Sequence, residues 1–600
     1  MAVPRECGTC TKPSPDWGTS SGSRAVARTR TSALFRAQVQ SLQDQKAGGP
    51  LRRRRIASRE AAVHLGLCIW GGQRPQRHSE FAAQHSGSAR APHWLKLHYD
   101  MQNTVLHQDT VLHLATGAIR GETIGAVERF LGIPYAAPPV GKRRFKEPEP
   151  VVPWDGIRDA VMPGANAPQR IRDVPGIDAR ALIGNGWVDG DDYLTLNIWR
   201  PAGGADGLPV MVFIHGGGFV IGSKDAPVQD GSSFARDGVI CIAINYRMGI
   251  DGFLPIPGVP TNLGLRDMLA ALRWVQDNAA ALGGDAGNVT VFGESAGAMA
   301  IADLITSPLA AGLFRRAIVE SGHGAMTRDV GVAQRLVVKL AKLLRVAPDK
   351  AGYVSVLPSE KLMDAVEKVS LPKTQIDLRD AEGREPVFGI SRFIPVHGDD
   401  VLPEKPLDAL KNGAGAGIDL LIGTNAEEMN LYLVPGGVRD KIGRLLSWYV
   451  LRRSIPRAWA ILKAYGMGAG KTPGEALTDA MNDLVFRWPA RRFAEEHHGT
   501  THMYEFEWRS PLFGGELGAA HAMEIPFVFD TLSVATGPEG LCGTNPPQQL
   551  ANRVHGLWVQ FAKTGSLPWP EFDRETRQVY KLEAGEAVHE PAMPAAPFLP

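Results

Sequence analysis

The sequence predicts a doubly wound α/β fold, with a mostly parallel central sheet and helical insertions. Three observations carry that reading. Short continuous apolar runs recur at 208–214, 239–245 and 289–292, as expected of strands buried on both faces. Helical periodicity follows them, most clearly over 263–282 with Leu272, Trp274 and Val275. Glycine turns close two of the runs, at Gly216 to Gly218 and at Gly293. Strands alternating with helices form parallel sheets through crossover connections.

In chain order, residues 111–128 offer short β-like runs broken by Gly117 and Gly121, as in a hairpin. The stretch 193–199 alternates as a strand. The run 208–214 is a buried strand that ends in His215-Gly216-Gly217-Gly218-Phe219. The strand 239–245 comes next, then the helix 263–282, which Gly283 and Gly284 terminate. The strand opening at Val289 runs into Gly293-Glu294-Ser295-Ala296-Gly297, and 296–305 reads as a helix. Further strands are expected at 317–320 and 420–423, with helical material between them.

The chain has 600 residues and a net charge of +2, which suggests no polyanionic partner. That average hides an asymmetry. Residues 1–100 hold 16 Lys and Arg against 6 Asp and Glu, so the remainder is net −8. The first segment is rich in Arg, Ser and Gly, lacks apolar periodicity and contains Arg52 to Arg55 in a row. No aromatic residues interleave with those arginines, which argues against a nucleic-acid interface. No secretory core follows the N-terminus, and 61–70 is too short to span a bilayer. Residues 1–104 are therefore expected to be a basic extension, either disordered or assigned from a start too far upstream with Met101 as the alternative start, and 105–600 one catalytic domain. Cys7 and Cys10 have redox or metal spacing without a strand–helix context, and read as incidental.

Strand, G-x-S-x-G, helix is the pattern of a nucleophile elbow, whose tight turn lifts a serine hydroxyl above a sheet edge. Ser295 is the candidate nucleophile. Such a serine needs a base, an orienter for that base, and donors for an oxyanion. The glycine triplet supplies backbone N–H groups without side-chain interference, at Gly217 and Gly218, and Ala296 follows the nucleophile directly. Of 16 histidines, His521 is the leading base, flanked by small residues in 518–524 before an apolar run. His497, His498 and His502 resemble a metal cluster, but the pair at 497–498 sits beside Glu495 and Glu496 and reads as solvated surface.

Together these motifs resemble the type-B carboxylesterases, the α/β-hydrolase family that includes cholinesterases and p-nitrobenzyl esterases. The likeness runs from about residue 105 to the C-terminal end. It rests on 130–136, 192–197, the His215 glycine triplet, 245–247, 288–297 and the His521 loop. It implies a serine carboxylic-ester hydrolase with an acyl-enzyme intermediate, a small-molecule ester substrate, and no metal or organic cofactor. The family's acid is a glutamate just after a strand ending Gly-x-Asn. Here that is Gly423-Thr424-Asn425, which puts Glu428 in the role and Glu427 one position before it. Asp399 or Asp400 stays open as the alternative, since many hydrolases of this fold use aspartate. The resemblance further implies an ion pair between Arg247 and Asp267.

Two departures are informative. Ala167 and Tyr193 stand where the family commonly places a disulfide pair, so the loop 168–192 is expected to be unstapled, as suits a reducing, cytoplasmic setting. His215 occupies a position often aromatic in eukaryotic members, a bacterial-like feature. A non-catalytic adhesion protein on the same fold is the main rival, though such members have typically lost the nucleophile. An amidase or thioesterase could use the same apparatus, because leaving-group preference resides in pocket shape.

Overall fold

Continuous apolar runs become the middle of one large sheet in the computed structural model, which describes residues 108–347, 356–371 and 373–599. The extension assigned to 1–104, with Cys7, Cys10 and Met101, lies outside the described residues.

β1 (Gln108–Leu114), β2 (Gly117–Ile124) and β3 (Val127–Pro134) form an antiparallel meander, so the expected hairpin gains a third strand. β4 (Thr195–Pro201) continues it antiparallel to β3. The short strand Ile157–Asp159 pairs with β2 off this path. β5 (Leu208–Ile214), β6 (Ile240–Ile244), β7 (Gly284–Glu294), β8 (Arg316–Glu320), β9 (Asp419–Asn425) and β10 (Thr501–Phe506) are the parallel part. Their spatial order is β6-β5-β7-β8-β9-β10. β11 (Gln578–Lys581) and β12 (Glu586–His589) complete the edge beyond β10.

The apolar runs are continuous because both faces of these strands are covered. Val210, Val212 and Ile214 of β5 enter one core, while Met211 and Phe213 enter the other. β6 divides in the same way, with Ile240, Ile242 and Ile244 on one side and Cys241 and Ala243 on the other. The predicted helix 263–282 ends sooner than its periodicity suggested. α1 (Leu263–Asn278) is followed by a 3₁₀ turn, Ala280–Leu282, and Gly283 then adopts φ +82° to turn the chain into β7.

After β5 the chain moves to β6 on one side, then crosses to β7 on the other. Such a reversal opens a crevice at the carboxyl ends of the strands. The His215 glycine triplet and Ser295 both sit at that crevice.

Candidate active site

Ser295 stands between β7 and α2 (Ala296–Thr306), with φ +55° and ψ −121°. A non-glycine residue there is strained and persists only where its surroundings hold it. The Ser295 N–H donates to the Glu320 carbonyl at 2.9 Å, and the Met299 N–H to the Ser295 carbonyl at 2.8 Å. Both motif glycines answer to one atom. A Cβ on Gly293 would lie 2.5 Å from the Ile214 carbonyl oxygen, and one on Gly297 only 1.9 Å from it. The elbow thus packs directly on the end of β5.

His521 lies with its Nδ1 2.6 Å from Glu428 Oε2 and its Nε2 2.8 Å from Ser295 Oγ. In the neutral imidazole, Nδ1–H donating to the carboxylate would leave Nε2 as an acceptor facing Ser295 Oγ. Glu428 is itself fixed: Oε1 accepts from the Asn425 N–H at 2.7 Å and from Ser321 Oγ at 2.6 Å. Glu427 turns away, accepting from the Ala519 N–H at 3.0 Å and pairing with Arg509. Asp399 binds Thr261 and Asn262, and Asp400 binds Arg266. The carboxylate in contact with the imidazole is Glu428.

Buried carboxyls surround this line. Glu294 Oε1 is 3.0 Å from His521 Nε2. Burial alone would lower the His521 pKa, but Tyr432, Glu294 and Glu428 outweigh it and hold the imidazole well above its usual value. Glu524, bonded to Asn425, is pushed up to about 8 by burial and by the charges of Glu294 and Glu428. Burial and the two neighbouring carboxylates thus favour its neutral form, which limits the negative charge packed behind the site.

Gly217 and Gly218 have φ of +101° and +62°, and a Cβ on Gly217 would strike the Ile221 carbonyl at 2.1 Å. Only glycine fits that turn. With Ser295 and Ala296 they line a cavity of about 1080 Å³ whose interior is set mostly by aliphatic and aromatic side chains, among them Met299, Leu431 and Phe486. Adjacent His215 is buried, stacks on Tyr246 with centroids 4.5 Å apart, and has its pKa lowered to about 4 by burial. It is a neutral wedge under the glycine turn.

The described carboxylesterase pattern matches residues 108–594 of this chain. The chain belongs to the carboxylesterase family. It is accordingly an enzyme, a hydrolase of carboxylic ester bonds, on the α/β-hydrolase fold. Para-nitrobenzyl esterase of Bacillus subtilis is 36% identical over 490 residues, covering 78% of this chain and 94% of the relative. Mouse cholinesterase is 31% identical over 518 residues, covering 79% and 83%. Among solved structures, a PNB esterase superposes with a TM-score of 0.71 at 32% identity, covering 82% of this chain and all of the other. A carboxylesterase of Geobacillus stearothermophilus gives 0.68 at 32%, covering 80% and 98%.

This carboxylesterase corrects one expectation. His497 is buried rather than solvated: its Nδ1 meets Thr501 Oγ1 at 2.8 Å and its Nε2 the Gly415 carbonyl at 3.0 Å, so it ties the start of β10 to the loop that precedes β9. His502 is buried against Trp569, and only His498 is exposed. Other site residues went unnoticed in the sequence. Phe486 packs on the His521 ring at 4.8 Å from a π-helical turn, Asp483–Arg487, inserted before Trp488–Glu496. Such turns often mark functional sites, but a one-residue insertion leaves no periodicity signal. Glu294 was legible as the residue before the nucleophile, yet its reach to His521 was not. Where the disulfide is lacking, Gln169 exchanges two hydrogen bonds with Gly222, at 2.7 and 2.8 Å, anchoring the loop to the glycine turn.

Proposed function

We propose that this carboxylesterase works through a Ser295–His521–Glu428 triad and an acyl-enzyme intermediate, with oxyanion donors at Gly217, Gly218 and Ala296. Ser295 Oγ attacks the ester carbonyl carbon while His521 Nε2 takes its proton, and Glu428 steadies the resulting imidazolium. The carbonyl oxygen gathers negative charge against the three N–H groups. Collapse breaks the bond to the alcohol oxygen, which leaves with the proton from His521. Water, deprotonated by the same nitrogen, then attacks the acyl carbon; the acyl–Oγ bond breaks, His521 returns the proton to Ser295 Oγ, and the acid is released. The observation that carries this reading is the unbroken line from Glu428 Oε2 through His521 to Ser295 Oγ, at 2.6 and 2.8 Å. Small-molecule esters are the substrate class, and the apolar cavity favours bulky, uncharged ones.

The test is Ser295→Ala. It should fold normally and lose about 10⁴-fold or more in kcat on a p-nitrophenyl ester. Mass spectrometry of the wild type after an organophosphate should find the adduct on Ser295. Turnover retained in the variant, or an adduct on a different serine, would defeat the mechanism.

A further inference from the structure

The helix Arg444–Arg452, inserted between β9 and β10, presents an apolar face to solvent. Ser447 and Leu451 are buried, and Ser447 Oγ donates to the Pro473 carbonyl at 2.9 Å, which fixes the rotation of the helix. Leu445, Trp448, Tyr449 and Arg452 recur at i, i+3, i+4 and i+7 on another face. Leu445 is 76% exposed and Tyr449 57%. Trp448 stacks on Trp459 of the next helix at 6.1 Å, and the Arg452 guanidinium lies over the Trp448 ring at 5.8 Å. Clustered aromatic and aliphatic exposure of this kind marks an interaction surface.

The charge around it is equally one-sided. Residues 441–474 contain seven Lys and Arg and no Asp or Glu, in a chain that is net −8 beyond residue 100. Acids of neighbouring elements already have partners: Glu475 accepts from the Thr472 backbone N–H, and Glu516 shares Arg439 with Asp440. Glu385 holds Arg453 at 2.6 Å, Asp377 holds Arg379 at 2.7 Å, and Asp479 holds Lys471. Asp380 and Glu382 pair with Arg384, and Asp440 with Arg439. Arg444, Arg452, Arg457 and Lys463 have no acidic partner among the described residues. Pro435, Gly436 and Lys441 line the cavity that holds Ser295, and the helix begins three residues later.

We propose that this aromatic and arginine face docks the protein on an anionic lipid surface, with the cavity mouth beside the contact. Leucine and aromatic rings enter the boundary between headgroups and acyl chains, while flanking arginines meet lipid phosphates. Neither signal holds a protein at a membrane alone, but an apolar face joined to a basic cluster does. Each basic residue at an anionic surface strengthens binding about fivefold. A second copy of this chain is the poorer occupant, because a two-fold contact would set the same unpaired arginines against each other.

The experiment is co-sedimentation of the full chain with vesicles of equal phosphatidylglycerol and phosphatidylcholine, and with phosphatidylcholine alone. The basic N-terminal segment is common to all variants, so the comparison isolates the helix. Leu445→Ser with Tyr449→Ser, and separately Arg444→Gln with Arg452→Gln, should each lower partitioning to the anionic vesicles about tenfold or more. Hydrolysis of a soluble ester should stay at the wild-type level, since none of these residues touches the site; if the first pair loses it, the arginine pair decides. Sedimentation reads binding without turnover, so it stands or falls separately from the proposed mechanism. Unchanged partitioning in the folded variants, no binding by the wild type, or a solution dimer abolished by the same substitutions would each overturn the proposal.

Discussion

Arg247 and Asp267 form an ion pair sealed from solvent, with the guanidinium Nε 2.8 Å and Nη2 2.6 Å from the two carboxylate oxygens. The Arg247 backbone N–H also donates to Asp267 at 3.0 Å, and Nη1 reaches the Lys146 carbonyl at 2.7 Å. The pair therefore ties the chain just after β6 to the second turn of α1. Removing one partner of a buried pair strands the other, at a cost of roughly 3–5 kcal/mol, against about 1 kcal/mol for an exposed pair. Asp267→Asn should lower the urea midpoint by an amount in the larger range, with activity per folded molecule close to wild type. A midpoint within the surface range would refute this assignment.

Glu428 and Glu427 are adjacent and chemically identical, so they test whether geometry decides. Glu428→Gln removes the carboxylate that orients His521 and offsets its charge, and kcat should fall about 10³-fold or more. Glu427→Gln weakens only a loop anchor at Ala519 and an exposed partner, Arg509. Its effect on kcat should stay within about tenfold. Steady-state kinetics of the two variants side by side is the measurement, and a reversed order would reassign the acid.

Much of this arrangement was legible because its causes are local. The elbow needs glycines at fixed offsets, and a strand buried on both faces must be apolar at every position, so β5 matches its predicted bounds. What stayed hidden depends on distant contacts. β10 reads Thr-His-Met-Tyr-Glu-Phe, with no apolar run, because Glu505 is buried beside Arg487 and Lys581 rather than in hydrocarbon. His497 looked solvated beside two glutamates, yet Arg492 draws both of those carboxylates to itself. Sequence spacing registers neither compensation.

Gly297 of the elbow and Gly556 of a distant helix make a sharp contrast. Gly297→Ala would force a Cβ to 1.9 Å from the Ile214 carbonyl, which is backbone and cannot swing aside. The cost should be roughly 2–4 kcal/mol, with kcat falling as Ser295 shifts from His521. Gly556→Ala, inside the helix Gln548–Thr564, meets nothing within 4 Å and should stabilise by about 0.5–1 kcal/mol. Thermal melts of the two variants should move in opposite directions; a Gly297→Ala enzyme as stable and active as wild type would contradict the packing described.

The acid limb of the pH profile should report the carboxyls around His521. The imidazole must be neutral to take the Ser295 proton, so activity falls as pH drops through the pKa of His521. That pKa is held above the ordinary value of about 6.5, which places the midpoint of kcat/KM above it. The stability consequence has the opposite sign. A histidine whose folded pKa is raised contributes stability that is full below about 6.5 and is lost as pH climbs through the folded value. Activity should thus appear over the window in which this contribution fades. Glu294→Gln removes a carboxylate 3.0 Å from Nε2. The imidazolium then loses an opposite charge, its pKa drops, and the acid limb should move to lower pH. A pH–rate profile of wild type and variant on one uncharged ester makes the comparison, and a limb that stays put or moves upward would remove Glu294 from the electrostatics of the site.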